Sequence, residues 1–218
     1  MNSEFPGFSK KAVQFLADLK ANNTREWFAE NKTIYEQEIK QPASFFCEFM
    51  CDQLRDLTGT QHSSKVFRIH RDVRFSKDKT PYKPHLHILF APQTDMSAPP
   101  RWFFGLMPEN ATLGVGVFSF EKDQLDAYRK RVAGEDGAKL AELLDGLLAG
   151  GARMYEPALK RVPSGFPKDH PRVELLRRKG LAVWSDLDNT DPITGPRAIE
   201  TCHAGYERLK PVYDWMMG

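Results

Sequence analysis

What constrains this chain most is the order in which its hydrophobic spacing changes. Between residues 8 and 58 apolar side chains recur at helical spacing. From 65 to 120 they recur with the two-residue period of strands, and from 121 to 218 the helical spacing returns. Helices, then strands, then helices favour an α+β fold over an alternating α/β one. For 218 residues the expectation is a single domain whose antiparallel sheet, of about four to six strands, is flanked by helices from the N- and C-terminal parts.

Capping signals refine the helices. Ser9 suits an N-cap before Ala12, Val13, Phe15, Leu16 and Leu19. Asn22-Asn23 suits a left-handed helix end. Thr24 suits a second cap, ahead of Trp27, Phe28, Ile34 and Tyr35, and Pro42 is expected to break or kink the pattern. A third helix places Phe45, Phe46, Phe49, Met50, Leu54 and Leu57 toward the core and closes at Gly59. Beyond residue 121, Leu125, Tyr128 and Val132 mark one helix; Leu140, Leu143, Leu144, Leu147 and Leu148 mark another, stopped by Gly150-Gly151. A helix opened by Pro171 runs to Lys179, and one from Arg197 to Met217 is expected to be interrupted at Pro211.

Strands are expected at Val66–Phe75, His85–Ala91, Trp102–Met107 and Thr112–Ser119, joined by short turns into a meander, with a further short strand at Ala182–Trp184. Trp102–Met107 is nearly continuously apolar, so burial on both faces is expected. Gly114 and Gly116 share one face of their strand, leaving room for a packed helix or a ligand.

The basic residues are unevenly placed. The stretch 65–87 holds Lys65, Arg68, Arg71, Arg74, Lys77, Lys79 and Lys83 against Asp72 and Asp78, a formal +5, while the whole chain is only +2. Alternation over 66–75 puts Arg71 with Phe67 and Ile69, and Arg68, His70, Asp72 and Arg74 on the opposite face. An arginine on an apolar face requires a partner, so Arg71 is expected to be buried and bonded to a carboxylate or to carbonyls, with Arg68 and Arg74 facing ligand. Asp72 and Asp78, beside so many cations, are expected to stay ionised. Ser76 to Pro84 reads as a loop punctuated by Pro81 and Pro84. A second punctuated basic stretch, 160–171, carries His170; both stretches are expected to converge.

Composition excludes several classes. No apolar run is long enough to span a bilayer, and residues 1–9 lack the basic and apolar regions of a signal peptide, so a soluble cytoplasmic protein is expected. Cys47, Cys51 and Cys202 have no zinc-type spacing and read as free thiols. Nucleophile elbow, phosphate loop and dinucleotide fingerprint are all missing.

Several motifs together resemble a known family. They are Phe8-Ser9; Asn23-Thr24-Arg25-Glu26-Trp27-Phe28 with Asn31-Lys32; the run from Arg68 through Arg71-Asp72, Arg74-Phe75-Ser76-Lys77-Asp78-Lys79 to Pro81-Tyr82-Lys83; Gly114 with Gly116; Lys160-Arg161 with Pro163 and Gly165-Phe166; and Asp169-His170-Pro171 with Leu175-Leu176. On these the chain resembles the "domain of unknown function 2461" family over nearly its whole length. The resemblance implies a single-domain, mostly bacterial protein without an established activity, so it carries over no catalytic residue and no cofactor.

Function is therefore read from the basic stretch. Arg68, Arg71, Asp72, Arg74, Lys77, Asp78, Lys79, Tyr82, Lys83, His85 and His170 are the candidate ligand-binding residues, for a small phosphorylated or carboxylated anion. His70, His85 and His170 are the candidates for proton transfer. Whether the protein is an enzyme is not determined at this level. Two alternatives stand beside the anion reading. One is nucleic-acid binding on the same basic surface, with Phe75, Tyr82 or Trp102 stacking, against which stand the net charge of +2 and a pI near 8.4. The other is a protein-interaction role with an acidic partner. His85 and His87, two apart, share a face as two metal ligands would, but no third ligand is evident and no metal is assigned.

Overall fold

The structure, a computed structural model, describes residues 4–74 and 76–218. Helix α1 (Lys10–Ala21) starts where Ser9 accepts from the Ala12 N–H, and α2 (Arg25–Ile34) where Thr24 accepts from the Trp27 N–H. Asn22 does end α1, but at φ −123°, with its backbone and side-chain N–H groups both donating to Asp18 O; no left-handed turn is used.

Pro42 does not break the chain into separate helices. A wider π-helical turn, Tyr35–Lys40, runs directly from α2 into α3 (Gln41–Thr58), and Gln41 N–H donates five residues back to Glu36 O. That register accommodates a residue with no N–H at the very start of α3. Ala43, Phe46, Cys47, Met50 and Leu54 are buried, whereas Phe45 is exposed: it falls outside the stripe. Gly59, at φ +72°, closes α3.

A six-stranded antiparallel sheet follows in the order β1-β2-β3-β4-β6-β5: β1 (His62–Val66), β2 (Leu86–Pro92), β3 (Arg101–Leu106), β4 (Ala111–Val117), β5 (Arg153–Met154) and β6 (Leu181–Leu187). The first four form the meander. Five of the six residues of β3 are buried, and all of β4 is. Around the sheet lie α4 (Lys122–Ala133), α5 (Glu135–Ala149), α6 (Val173–Leu176) and α7 (Ala198–Met217). Two expectations change here. The helix after Pro171 is only the four residues of α6, and α7 passes through Pro211 without interruption. Among the described residues no helix is long and apolar enough to cross a membrane.

The expected strand 66–75 is the largest correction. Pairing stops at Val66; Phe67 N–H still reaches His87 O, and Arg71 N–H reaches Pro81 O, but only an isolated bridge, His70 to Tyr82, remains. The facing segment contains Pro81 and Pro84, which have no N–H to donate, so a regular ladder cannot continue. Phe75 lies outside the described residues.

One face of the sheet carries Ile88, Phe90, Trp102, Phe104, Leu113, Val115 and Val183, buried among Phe8, Phe46, Met50, Tyr206 and Tyr213 of the helical layer. Phe46 and Phe104 sit 4.5 Å apart, and Trp102 stacks on Tyr213 at 4.8 Å. The other face holds a separate apolar group, Phe103, Ala182 and Trp184 with Leu89. The three cysteines are free; Cys47 and Cys202 are buried and Cys51 half-buried. Burial pushes the Cys47 thiol up to about 11.

Candidate functional site

Strand alternation and register place the second face residue by residue. Phe67, His87, Gly105, Thr112 and Asp186 follow one another across neighbouring strands, and Lys65, Leu89, Phe103, Gly114, Trp184 and Arg153 form the adjacent row. Over these rows lies a cleft of about 400 Å³, whose lining includes Lys83, His85, His87, Phe118, Arg153 and Tyr155. The two glycines are occupied by rings. A Cβ on Gly105 would lie 3.3 Å from the His87 ring, and one on Gly114 would lie 2.4 Å from Trp184. The visitor expected at Gly114 is therefore a cross-strand tryptophan, not a helix.

His85 and His87 stack with centroids 4.0 Å apart. Partial desolvation, then the neighbouring His87, Lys83 and Arg71, push His85 down to about 4. Desolvation and Lys83 lower His87 as well. Both shifts favour the neutral imidazole, which can accept a hydrogen bond or a proton. Among the described residues no group of three or more His, Cys, Asp or Glu gathers around a metal position.

At the opposite wall Arg153 grips Asp186 with two nitrogens, Nε to Oδ2 at 2.5 Å and Nη2 to Oδ1 at 3.0 Å, while Thr112 Oγ1 donates to Oδ1. The Arg153 guanidinium and the Thr112 hydroxyl hold the Asp186 carboxyl below its ordinary range. Arg153 also lies over the Trp184 ring, 5.8 Å from its centroid.

The basic stretch 67–85 is largely knitted into itself. Arg71 Nη1 meets Asp78 at 3.1 Å, and Nη2 reaches Tyr82 O at 3.5 Å. Arg74 grips Asp72 through Nε at 3.0 Å and Nη2 at 2.7 Å. So Arg74 is engaged with a carboxylate of its own loop, where the sequence places it toward ligand. Lys79 donates to Val73 O and Lys83 to Arg68 O. Hydrogen bonds from Arg74 hold the Asp72 carboxyl down; for Asp78 the first cause is the Thr80 N–H and hydroxyl, ahead of Arg71. Lys77 and Arg68 are exposed.

Tyr82 is buried and stacks on Phe28 at 4.1 Å, and the Asn23 amide clasps its backbone N–H and C=O. This clasp anchors the loop to the α1–α2 junction. His170 accepts the Arg172 N–H, and Arg172 donates to the carbonyls of Val132, Ala133 and Gly134 at the end of α4. Among the described residues no hydrogen bond or ion pair joins 160–171 to 65–87, and the cleft takes its lining from 65–87 and the sheet, with no residue of 160–171 in it.

Arg71→Ala is expected to cost about 1 kcal/mol, not the several of a fully buried pair. The Arg71 side chain is only 26 % exposed, but its partner Asp78 is 49 % exposed and remains hydrated when left alone. Urea denaturation of the two proteins checks this; a loss of several kcal/mol would mean that the pair behaves as a buried one.

Of the residues the sequence singles out, Lys83, His85 and His87 line the cleft; it does not single out the lining residues Thr112, Phe118, Arg153 and Tyr155, nor Asp186, which Arg153 and Thr112 hold. Period-two alternation would have put Ala182, Trp184 and Asp186 on one face; which face, and beside which strand, is set by the β4–β6 register.

Comparison with known proteins gives one result. A family model described as conserved hypothetical protein (DUF2461) matches residues 11–215. No curated protein matches the chain.

Proposed function

For a chain that belongs to the DUF2461 family of conserved hypothetical proteins, we propose the binding of a small carboxylate- or phosphate-bearing molecule in the cleft over the second face of the sheet. The observation that carries this reading is the composition of its walls. Lys83 stands in the lining with the stacked imidazoles of His85 and His87, and the remaining lining is mainly aromatic. An acid group entering there meets a cation and hydrogen-bonding rings without an unpaired carboxylate to repel it, since Asp186 is already held by Arg153 and Thr112. If the bound molecule also reacts, His85 and His87 are the groups positioned to take a proton.

The intraloop pairs Arg71–Asp78 and Arg74–Asp72 leave less positive charge for a long polyanion, which ranks nucleic acid behind a small ligand. Lys83→Ala is expected to weaken binding of phosphate- or carboxylate-bearing compounds about tenfold, the effect of one charge-assisted contact of roughly 1.5 kcal/mol. The melting temperature should stay near the parent's, because Lys83 makes only a long contact, 3.5 Å, to Arg68 O. Titration calorimetry on both proteins, repeated at two salt concentrations, checks it. Unchanged affinity in the variant would remove the cleft as the site. Affinity that collapses steeply with salt would point to a polyanion.

A further inference from the structure

Three of the rings bordering the cleft are left in solvent. Phe118 is 58 % exposed, Tyr155 57 % and Phe67 37 %, and all three line this one cavity. Large aromatic side chains grouped in the open mark a recognition surface. They are not placed at random. Phe103, Phe118 and Trp184 form a mutual cluster with centroids 4.8, 5.3 and 5.7 Å apart, and Tyr155 meets Trp184 edge-on at 6.0 Å. Phe103 and Trp184 are themselves held in the sheet by ladder pairing, so the exposed rings rest on a rigid floor.

We infer that the molecule taken by this cleft is an aromatic acid: a flat ring carrying one phosphate or carboxylate, with the ring against Phe118, Tyr155 and Trp184 and the acid group toward Lys83 and His85. This rests on the anion-binding reading above and specifies its ligand class. A purely ionic ligand would use Lys83 and leave the aromatic wall hydrated, whereas a flat ring covers it by stacking or edge contacts. The cavity, at about 400 Å³, falls in the range of sites for molecules of this size. Two sources share the chemistry, a simple aromatic acid and a nucleotide whose base is the ring.

The test is calorimetric titration of the full chain with inorganic phosphate, phenyl phosphate, acetate, benzoate and adenosine 5′-monophosphate, on the parent, Phe118→Ala and Lys83→Ala. Phenyl phosphate should bind about tenfold or more tightly than inorganic phosphate, and benzoate than acetate, as expected for a ring contact. Phe118→Ala should reduce that preference severalfold at an unchanged melting temperature, and Lys83→Ala should weaken every acid. The nucleotide binding more tightly than phenyl phosphate assigns the ring to a base; the reverse order assigns a simple aromatic acid. Equal affinity for inorganic and phenyl phosphate, both weakened by Lys83→Ala, overturns the ring inference and leaves the anion reading standing. No binding of any of the five overturns the anion reading itself, and the inference with it.

Discussion

Replacing Gly116 by alanine is expected to destabilise the protein by about 3 kcal/mol, lowering the melting temperature by roughly 6–12 °C for a chain of this size. Two effects combine. Gly116 sits at φ +150°, a conformation that residues with a Cβ rarely adopt. A Cβ there would also lie 2.1 Å from Leu181 O and 2.5 Å from Ala182 Cα, both backbone atoms of the paired strand. Backbone in a ladder cannot swing aside as a side chain can, so either β4 and β6 separate or the strain stays. Gly114→Ala makes a useful comparison, because its obstacle is the Trp184 ring, a side chain with rotamer freedom. The Gly114 variant should therefore lose less stability and instead disturb the cleft. Thermal melts of both variants decide the order. A Gly116 variant as stable as the parent would mean that the β4–β6 pairing is not as described.

The second large effect concerns pH. His85 titrates near 6.5 when unfolded and is pushed down to about 4 in the fold by desolvation, His87, Lys83 and Arg71. A base whose folded pKa is lowered binds fewer protons folded than unfolded between these two values. Its contribution is therefore fully present above about pH 6.5 and is lost as pH falls toward 4. The nominal size is about 3 kcal/mol, reduced to about 1–2 kcal/mol because the ring is only partly shielded at the cleft. Lowered by desolvation in the same sense, His87 and His62 add to the slope. Urea denaturation between pH 4.5 and 7.5 should show parent stability falling with acid, and His85→Gln should flatten part of that fall. Parallel pH profiles for parent and variant would mean that His85 titrates normally in the fold. The same coupling gives the anion reading a signature: a bound acid beside His85 favours its protonated form, so binding should take up protons below neutrality.

How much was legible in the sequence depended on the range of the interaction involved. Ser9, Thr24 and Gly59 act on their own chain neighbours, and their caps stand where the sequence placed them. The meander was legible because period-two runs joined by short turns have few ways to pair. Where a residue depends on its neighbour across space, the sequence misled. Residues 67–74 alternate like a strand but face Pro81 and Pro84 and lose the ladder. The prolines divide: the α register does change beside Pro42, through a π turn, whereas α7 runs on through Pro211, where an interruption was expected.

The candidate site divides the same way. The sequence by itself determined that positive charge gathers at 65–87, that His85 and His87 can share a side, and that Gly114 and Gly116 lie on one face, since each follows from nearby residues and strand period. Only the tertiary structure decided that Trp184 fills the space over Gly114, and that Arg153 and Asp186 meet at the edge of the same cleft. The reason is physical. Alternation settles which residues share a face of one strand, but it says nothing of which strand lies alongside. The β4–β6 register, set by burial of Leu113, Val115 and Val183 on the helical side, brings Thr112 to Asp186 across 74 residues of chain.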